Sequence, residues 1–337
     1  MIIRLQKADC CHHSLSVADV WSIFDFLLPG YLGPYDAFRA TTQEVIEAGG
    51  PEGRAEQEKL HRKLHPFILR RLKKTVAKDL PDKIVKVAYC PMTEEQQRWY
   101  NQLLADARGR IGDMVKAKGF AKSRMEILAL LMRLRQVASH LELLKEYREK
   151  QGARRTGAST TDGGSALSGK LEVFLELLDE AIDGGHRVLV FSQFVSMLTI
   201  LRRELAARGI RSCYLDGETK DRLGVCRTFN TDASIPLFLI SLHAGGTGLN
   251  LTGADMVVHF DPWWNPAVEA QATDRAHRIG QKKTVYVVKL IAQDSVEERV
   301  LALQQKKQLV IDATVGTTDE AAVQKLTYDD IRSILGY

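Results

Sequence analysis

The stretch from Val188 to Ile291 constrains this chain more than any other. Short apolar runs at Val188–Phe191, Arg211–Leu215, Leu237–Ser241, Met256–Phe260 and Thr284–Ile291 are separated by helical patterns such as Phe194–Arg208. Strands that alternate with helices indicate a parallel sheet, because a parallel crossover needs a helix's worth of chain. The predicted fold class is α/β, a parallel sheet with helices on both faces. Asn265 as N-cap, Pro266 at the first helical position and Gly280 as stop predict a helix between the last two strands. Ser295 with Glu298 reads as a capping box that opens a final long helix reaching about Ala313.

Upstream the pattern is mainly helical. Ala18–Phe38 has helical apolar spacing that ends in the breakers Pro29, Gly30, Gly33 and Pro34, and a polar stretch follows. Leu60–Val76 reads as a helix around Pro66, Ile84–Tyr89 as a strand, and Thr93 with Gln96 as the cap of a long helix. Met125–Leu144 is a further predicted helix. Gln151–Gly169 is rich in Gly, Ser and Thr and predicts a linker. The expected domains are 1–80, the end of a preceding lobe with a helical insertion; 81–168, a connecting helical segment and linker; and 169–337, the α/β lobe.

Composition excludes several classes. At 45% apolar and 26% charged, the chain is ordinary for a soluble globular protein. It has no apolar run of about 18 residues that would span a membrane and no secretory leader. Five scattered cysteines argue against a disulfide framework and for a reducing compartment. The consecutive Cys10, Cys11, His12 and His13 lack the spacing that lets ligands converge on one ion, so no metal site is predicted. From Lys59 to Lys78 there are eight Lys or Arg residues and no acid, which suits either a phosphate-binding face or a solvated helix.

Three segments could carry chemistry. In SLHAGGTGLNLTGAD, Ser241 to Asp255, Gly245, Gly246 and Gly248 would let backbone N–H groups approach a phosphate, with Ser241 and Asn250 offering side-chain hydrogen bonds; a tight turn is the competing reading. In QATDRAHRIGQ, Gln271, Arg275 and Arg278 stand at i, i+4 and i+7, one face of a helix. Two arginines there suit a charged clamp for a polyphosphate, against the alternative of a surface helix with internal ion pairs. In DPWWNP, Asp261 to Pro266, the paired tryptophans serve either packing or stacking on nucleic acid.

VLVFSQF, YLDGETKDR, the glycine loop, DPWWNPAVEAQATDRAHRIGQ and VEERVLALQQKK together resemble, in order, the second-lobe motifs of the Swi/Snf family of helicase-like ATPases. VWSIFDFLLPGYLG, HPFILRRLKKTVAKDLPDK and MRLRQVASH resemble its helical insertion, its lobe-connecting segment and the helix before lobe two. The resemblance implies a RecA-like lobe of an ATP-dependent translocase on double-stranded DNA. Arg275 and Arg278 would be arginine fingers, and Gln271, Gly248 and Asn250 nucleotide-facing. Ser192, Gln193, Arg222, Ser241, His243, Gly245 and Trp264 would lie near DNA. The implied cofactors are ATP with Mg2+, held mainly by a first lobe.

Departures from the family pattern matter as much. The 337 residues contain no Walker-type glycine-lysine loop and no acidic magnesium-binding motif. KADCCHHSLS stands where a threonine-rich motif belongs, His243 where a lysine or arginine is usual, and Leu141 where a proline is. A chain of this kind is expected to be inactive alone and to need a first ATPase lobe, separately supplied or lost by truncation. The competing expectation is a non-enzymatic DNA-binding adaptor. The short tail after Ala313 suggests a bacterial, cytoplasmic and nucleoid-associated protein whose target is RNA polymerase or another DNA-bound protein.

Overall fold

The computed structural model describes residues 17–67, 77, 79–144, 168–244, 248–264, 266–313 and 328–336. The described residues before Asp79 form one compact unit. It contains α1 (Val17–Leu27), α2 (Tyr35–Phe38), α3 (Glu44–Ala48) and α4 (Gly50–Leu64). Phe24 and Leu64 centre its core. The break predicted at Pro29–Pro34 is a turn in which Gly30 and Gly33 take φ of 79° and 81°, with Trp21 Nε1 donating to the Gly33 carbonyl at 3.0 Å. The helix predicted from Leu60 instead begins at Gly50 and ends at Leu64, followed by a 3-10 turn, His65–Phe67. Pro66 accounts for that end: His65 keeps helical dihedrals, φ −48° and ψ −42°, but a proline has no N–H with which to continue the ladder. Residues 68–76 of the predicted helix lie outside those described.

From Asp79 to Leu309, with the C-terminal helix, the described residues form a second unit. Its strands are β1 (Lys83–Cys90), β2 (Val188–Ser192), β3 (Ser212–Leu215), β4 (Leu237–Ser241), β5 (Met256–His259) and β6 (Val285–Ala292). Its helices are α5 (Glu94–Lys118), α6 (Phe120–Ser139), α7 (Gly169–Asp183), α8 (Val195–Ala207), α9 (Arg222–Thr231), α10 (Pro266–Thr273), α11 (Val296–Ala313) and α12 (Tyr328–Leu335). All pairings are parallel, in the order β1-β6-β5-β2-β4-β3.

Residue alternation explains why both sheet faces are covered. Val188, Val190, Leu237 and Leu239 share a core with Leu171 and Phe174 of α7 and Met197 and Leu201 of α8. Their neighbours Leu189, Phe191, Phe238 and Ile240 point the other way, toward Cys226 and Phe229 of α9 and Ala272 of α10. Such continuous apolar strands are what a doubly covered parallel sheet requires. A third core joins α5, α6, α11 and α12 through Tyr100, Leu131, Val300 and Ile331.

Ser168, Gly169 and Lys170 fasten that helical layer to the sheet. Ser168 Oγ donates to the Ser139 carbonyl at 2.6 Å and accepts the Leu171 N–H at 3.1 Å, capping α7. Gly169 N–H donates to Gln96 Oε1 at 3.0 Å, and a Cβ on Gly169 would lie 1.8 Å from the Pro91 carbonyl oxygen. The fully buried Lys170 ammonium lies 2.6 Å from the buried Glu297 carboxylate and donates to the Phe260 carbonyl at 3.0 Å.

Candidate functional site

β2 lies between β4 and β5, so the chain reverses its direction across the sheet there, and the loops leaving these strands meet at one edge. Ser192, Gln193, Ser241, His243 and Trp264 all lie in this loop cluster. Leu242 N–H donates to the Ser192 carbonyl at 2.8 Å and Phe260 N–H to the Phe191 carbonyl at 2.9 Å, which holds the three loops together. Ser192 and Ser241 are buried, and the Ser192 hydroxyl donates to Asp261 Oδ2. Gln193 N–H donates to the other oxygen of Asp261 at 3.1 Å. His243 is exposed and meets Trp263 edge to face at 5.2 Å.

The centre of this cluster is Arg135 on α6, which lies within MRLRQVASH but is not among the expected site residues. It has no exposed surface. Its Nη1 donates to Gln193 Oε1 at 2.9 Å, its Nη2 donates to the Pro262 carbonyl, and Asp261 Oδ1 lies 3.8 Å away. The guanidinium also sits 4.9 Å from the Trp264 ring centroid and 5.9 Å from that of Trp263. Burial pushes the Asp261 carboxyl above the usual range, and the Arg135 charge opposes that shift. DPWW thus wraps a buried cation, so both tryptophans are partly buried in packing.

The second set is arranged differently from what its spacing predicted. α10 stops at Thr273, so Gln271 lies in the helix while Arg275 and Arg278 lie in the turns that follow. These three residues therefore do not share one helical face. The cause is tertiary: the Arg275 carbonyl accepts the Leu251 N–H at 3.1 Å, and the Ala276 carbonyl accepts both Arg278 N–H at 3.1 Å and Gln281 Nε2 at 3.2 Å. The ladder is broken at the donors as well, since Arg275 N–H turns to the Ala272 carbonyl, three residues back, and Arg278 N–H to Ala276, two back. Arg275 is only 5% exposed, whereas Arg278 is half-buried. Burial pushes the Cys226 thiol up to about 11, and the nearby Arg275 charge pulls it back.

Asn250 and Gly248 are exposed, and Gly248 has φ +63° with open space where a Cβ would go. Gly245 lies outside the described residues. The turn after Asn250 is joined to the arginine segment by the Leu251–Arg275 bond and runs beside Arg187, whose carbonyl accepts Asp255 N–H at 3.2 Å. Arg222 stands apart from both sets at the start of α9, with Nη2 donating to the Gly217 carbonyl at 3.1 Å.

Among the described residues, no group of three or more His, Cys, Asp or Glu side chains is arranged to hold a metal ion. Three carboxylates near the two sets are committed elsewhere: Asp261 to Ser192 and Gln193, Glu269 to the Trp263 N–H at 2.6 Å and to Lys289, and Asp255 to the Arg187 N–H at 2.9 Å and to Lys283 at 3.1 Å. These three do not converge on a common point that would hold Mg2+. No described helix is long and apolar enough to cross a membrane.

The SNF2-related domain model matches residues 13–143, and the helicase conserved C-terminal domain model matches residues 169–280. An uncharacterized ATP-dependent helicase of Mycoplasma genitalium, MG018, is 36% identical over 299 residues, covering 88% of this chain and 26% of that protein. The transcription regulatory protein SNF2 of Saccharomyces cerevisiae is 36% identical over 340 residues, 95% of this chain and 19% of that one. The putative ATP-dependent helicase/translocase YwqA of Bacillus subtilis is 36% identical over 89% of this chain and 31% of its own length. The chain thus spans about a fifth to a third of these relatives. The SWI2/SNF2 ATPase core of Sulfolobus solfataricus, solved with double-stranded DNA, superimposes with a TM-score of 0.58 at 33% identity, over 94% of this chain and 64% of that one. The C-terminal domain of the Sulfolobus ATPase gives 0.56 at 29% identity, covering 76% of this chain and 99% of that domain. With its parallel, RecA-like sheet, this chain belongs to the Swi/Snf family of helicase-like ATPases and carries that family's C-terminal helicase region together with the helical elements before it.

Proposed function

We propose that this chain is the second motor lobe of an ATP-dependent translocase on double-stranded DNA, with Arg275 and Arg278 as its arginine fingers. The observation that carries the reading is the junction of the arginine segment with the turn below the glycine loop, the Leu251–Arg275 bond of 3.1 Å. That backbone bond ties the segment bearing the two arginines to the turn that follows Asn250, which supports the reading. Gln271, Gly248 and Asn250 would face the nucleotide, and a first ATPase lobe would hold the Mg2+ that neutralises the phosphates. Arginines aimed at a transferring phosphoryl group lower the barrier by stabilising spreading negative charge, worth roughly 10³–10⁵ in rate.

The other edge, with His243, Gln193 and Trp264, would supply part of the DNA track, and Arg222 would be a separate contact to the DNA. Backbone contacts of this type are sequence-independent and weaken steeply with salt. Domain assignment follows the same reading: residues 1–80 hold the end of lobe one with its insertion, 81–168 the connection, and 169–337 the lobe proper.

ATP hydrolysis, measured with and without double-stranded DNA on this chain alone and then with a matching first lobe added, tests the reading. Hydrolysis is expected only in the mixture, stimulated by DNA and abolished by Arg275→Ala or Arg278→Ala. Undiminished hydrolysis in both variants would overturn the finger assignment. Salt-sensitive DNA binding without hydrolysis in either sample would favour an adaptor instead.

A further inference from the structure

We infer that Gln281 is a positioning residue whose buried carboxamide ties the Arg275–Arg278 segment to the Asn250–Ala254 turn, so that fingers and nucleotide-facing loop move as one piece. The inference rests on the motor reading above. The segment needs such a tie because α10 ends at Thr273 and, apart from one helical bond from His277 N–H to the Thr273 carbonyl at 3.1 Å, the backbone bonds that follow reach back only two or three residues: Arg275 N–H to Ala272, Ala276 N–H to Thr273, Arg278 N–H to Ala276 and Gln281 N–H to Arg278. A segment without a helical ladder takes its shape from whatever grips it.

Gln281 is that grip. It is 7% exposed, and its Nε2 shares its two hydrogens among the carbonyls of Ala254 at 2.7 Å, Ala276 at 3.2 Å and Thr252 at 3.3 Å. Two of these acceptors belong to the turn and one to the arginine segment. Its Oε1 accepts the N–H groups of Lys282 at 2.9 Å and Lys283 at 3.0 Å, so the whole amide is engaged. From the other side, Asn230 Nδ2 donates to the Asn250 carbonyl at 2.8 Å and Asn230 Oδ1 accepts the Gly253 N–H at 3.1 Å. The turn is therefore fixed to α9 by Asn230 and to the arginine segment by Gln281 and the Leu251–Arg275 bond.

A misplacement of about 1 Å in a catalytic group can lower turnover about 10²-fold. In the two-lobe mixture, Gln281→Met is expected to lower DNA-stimulated kcat about 10- to 100-fold while leaving DNA affinity unchanged. Gln281→Asn, which keeps a buried amide one methylene shorter, is the variant to use if Gln281→Met does not fold, with the same expected direction. Gln96→Met removes another fully buried amide, at the start of α5, and controls for lost stability. It should lower Tm and leave kcat of the folded protein unchanged. Equal kcat for the Gln281 and Gln96 variants would overturn the proposal. Exchange of the Leu251 amide hydrogen in this chain alone reads the tie without any hydrolysis. It should accelerate at least about tenfold in the Gln281 variants and not in Gln96→Met. Unaltered protection would also overturn the proposal. A wild-type mixture that hydrolyses no ATP would instead count against the motor reading, and the exchange experiment would still decide the tie.

Discussion

The Arg135 guanidinium lies 4.9 Å from the centroid of the Trp264 ring, with no exposed surface of its own. A buried cation is tolerated only when its charge and its donors are met. Here one Nη donates to Gln193, the other donates to the Pro262 carbonyl, Asp261 supplies the opposite charge and two indoles present their faces, leaving only Nε without a hydrogen-bond partner among the described residues. α6 therefore fixes the loops that leave β2 and β5 through one side chain. The candidate DNA edge takes its shape from a residue that itself faces no solvent.

Arg135→Met should thus be strongly destabilising, by about 3–5 kcal/mol, because it leaves the Asp261 carboxylate buried without its cation. Adding Asp261→Asn removes that stranded charge and keeps one acceptor oxygen, for the Gln193 N–H, with the amide NH2 facing the Ser192 hydroxyl, which can accept from it. The double variant should recover most of the loss, and urea denaturation of the wild type, Arg135→Met, Asp261→Asn and the double variant measures the coupling. Arg135→Lys should fall between, since an ammonium cannot reproduce a planar fork or its stacking. Additive effects of the two substitutions would show that the pair is not coupled.

Gly248 and Gly217 offer a contrast within the candidate nucleotide and DNA loops. At neither position would a Cβ meet another atom within 4 Å, so neither substitution to alanine is opposed by packing. Only Gly248 has positive φ, +63°. Gly248→Ala should destabilise by roughly 1 kcal/mol through left-handed strain alone. Gly217→Ala should be neutral or slightly stabilising, by up to about 1 kcal/mol, because it restricts the unfolded chain. Thermal unfolding of both variants reads the difference, and equal effects would remove backbone conformation as the reason for Gly248.

Local signals in the sequence were enough for most of the lobe. The central strands β2, β4 and β5 were legible because each is apolar on both faces, and the start of α5 because its cap is reciprocal: Gln96 N–H donates to Thr93 Oγ1 at 3.2 Å and Thr93 N–H to Gln96 Oε1 at 3.1 Å. At α11 the cap is simpler than predicted, with Ser295 Oγ accepting the Glu297 N–H at 3.1 Å. The end of α10 was illegible for a physical reason. The partners that capture the carbonyls of Arg275 and Ala276 include Leu251, 24 residues upstream, and no periodicity within Gln271–Gln281 reports them. Arg135 was missed likewise, since one arginine in MRLRQVASH reads as a solvated helical residue until Asp261 and the tryptophans close around it. The chemistry-bearing residue types were visible; their division into two sets, and the side chains that hold each set, depended on long-range contacts.

His259 should make the stability of this chain depend on pH. It is the last residue of β5, stacked on Phe191 with ring centroids 5.7 Å apart and with Nε2 2.9 Å from Thr273 Oγ1. Burial lowers its pKa to about 4; Glu269 opposes that shift, while Lys289 and Lys83 add to it. In the unfolded chain the same imidazole titrates near 6.5. Between these two values the unfolded state binds a proton that the folded state does not. The stability contributed by neutral His259 is therefore fully present above about pH 6.5 and is lost as pH falls toward 4. The loss is on the order of 3 kcal/mol at 1.36 kcal/mol per unit. His259→Gln keeps an uncharged polar side chain and has no titration, so the difference in unfolding free energy between wild type and variant should change by that amount between pH 7 and pH 4. A difference that stays flat across this range would mean that the imidazole titrates in the folded protein as it does in water.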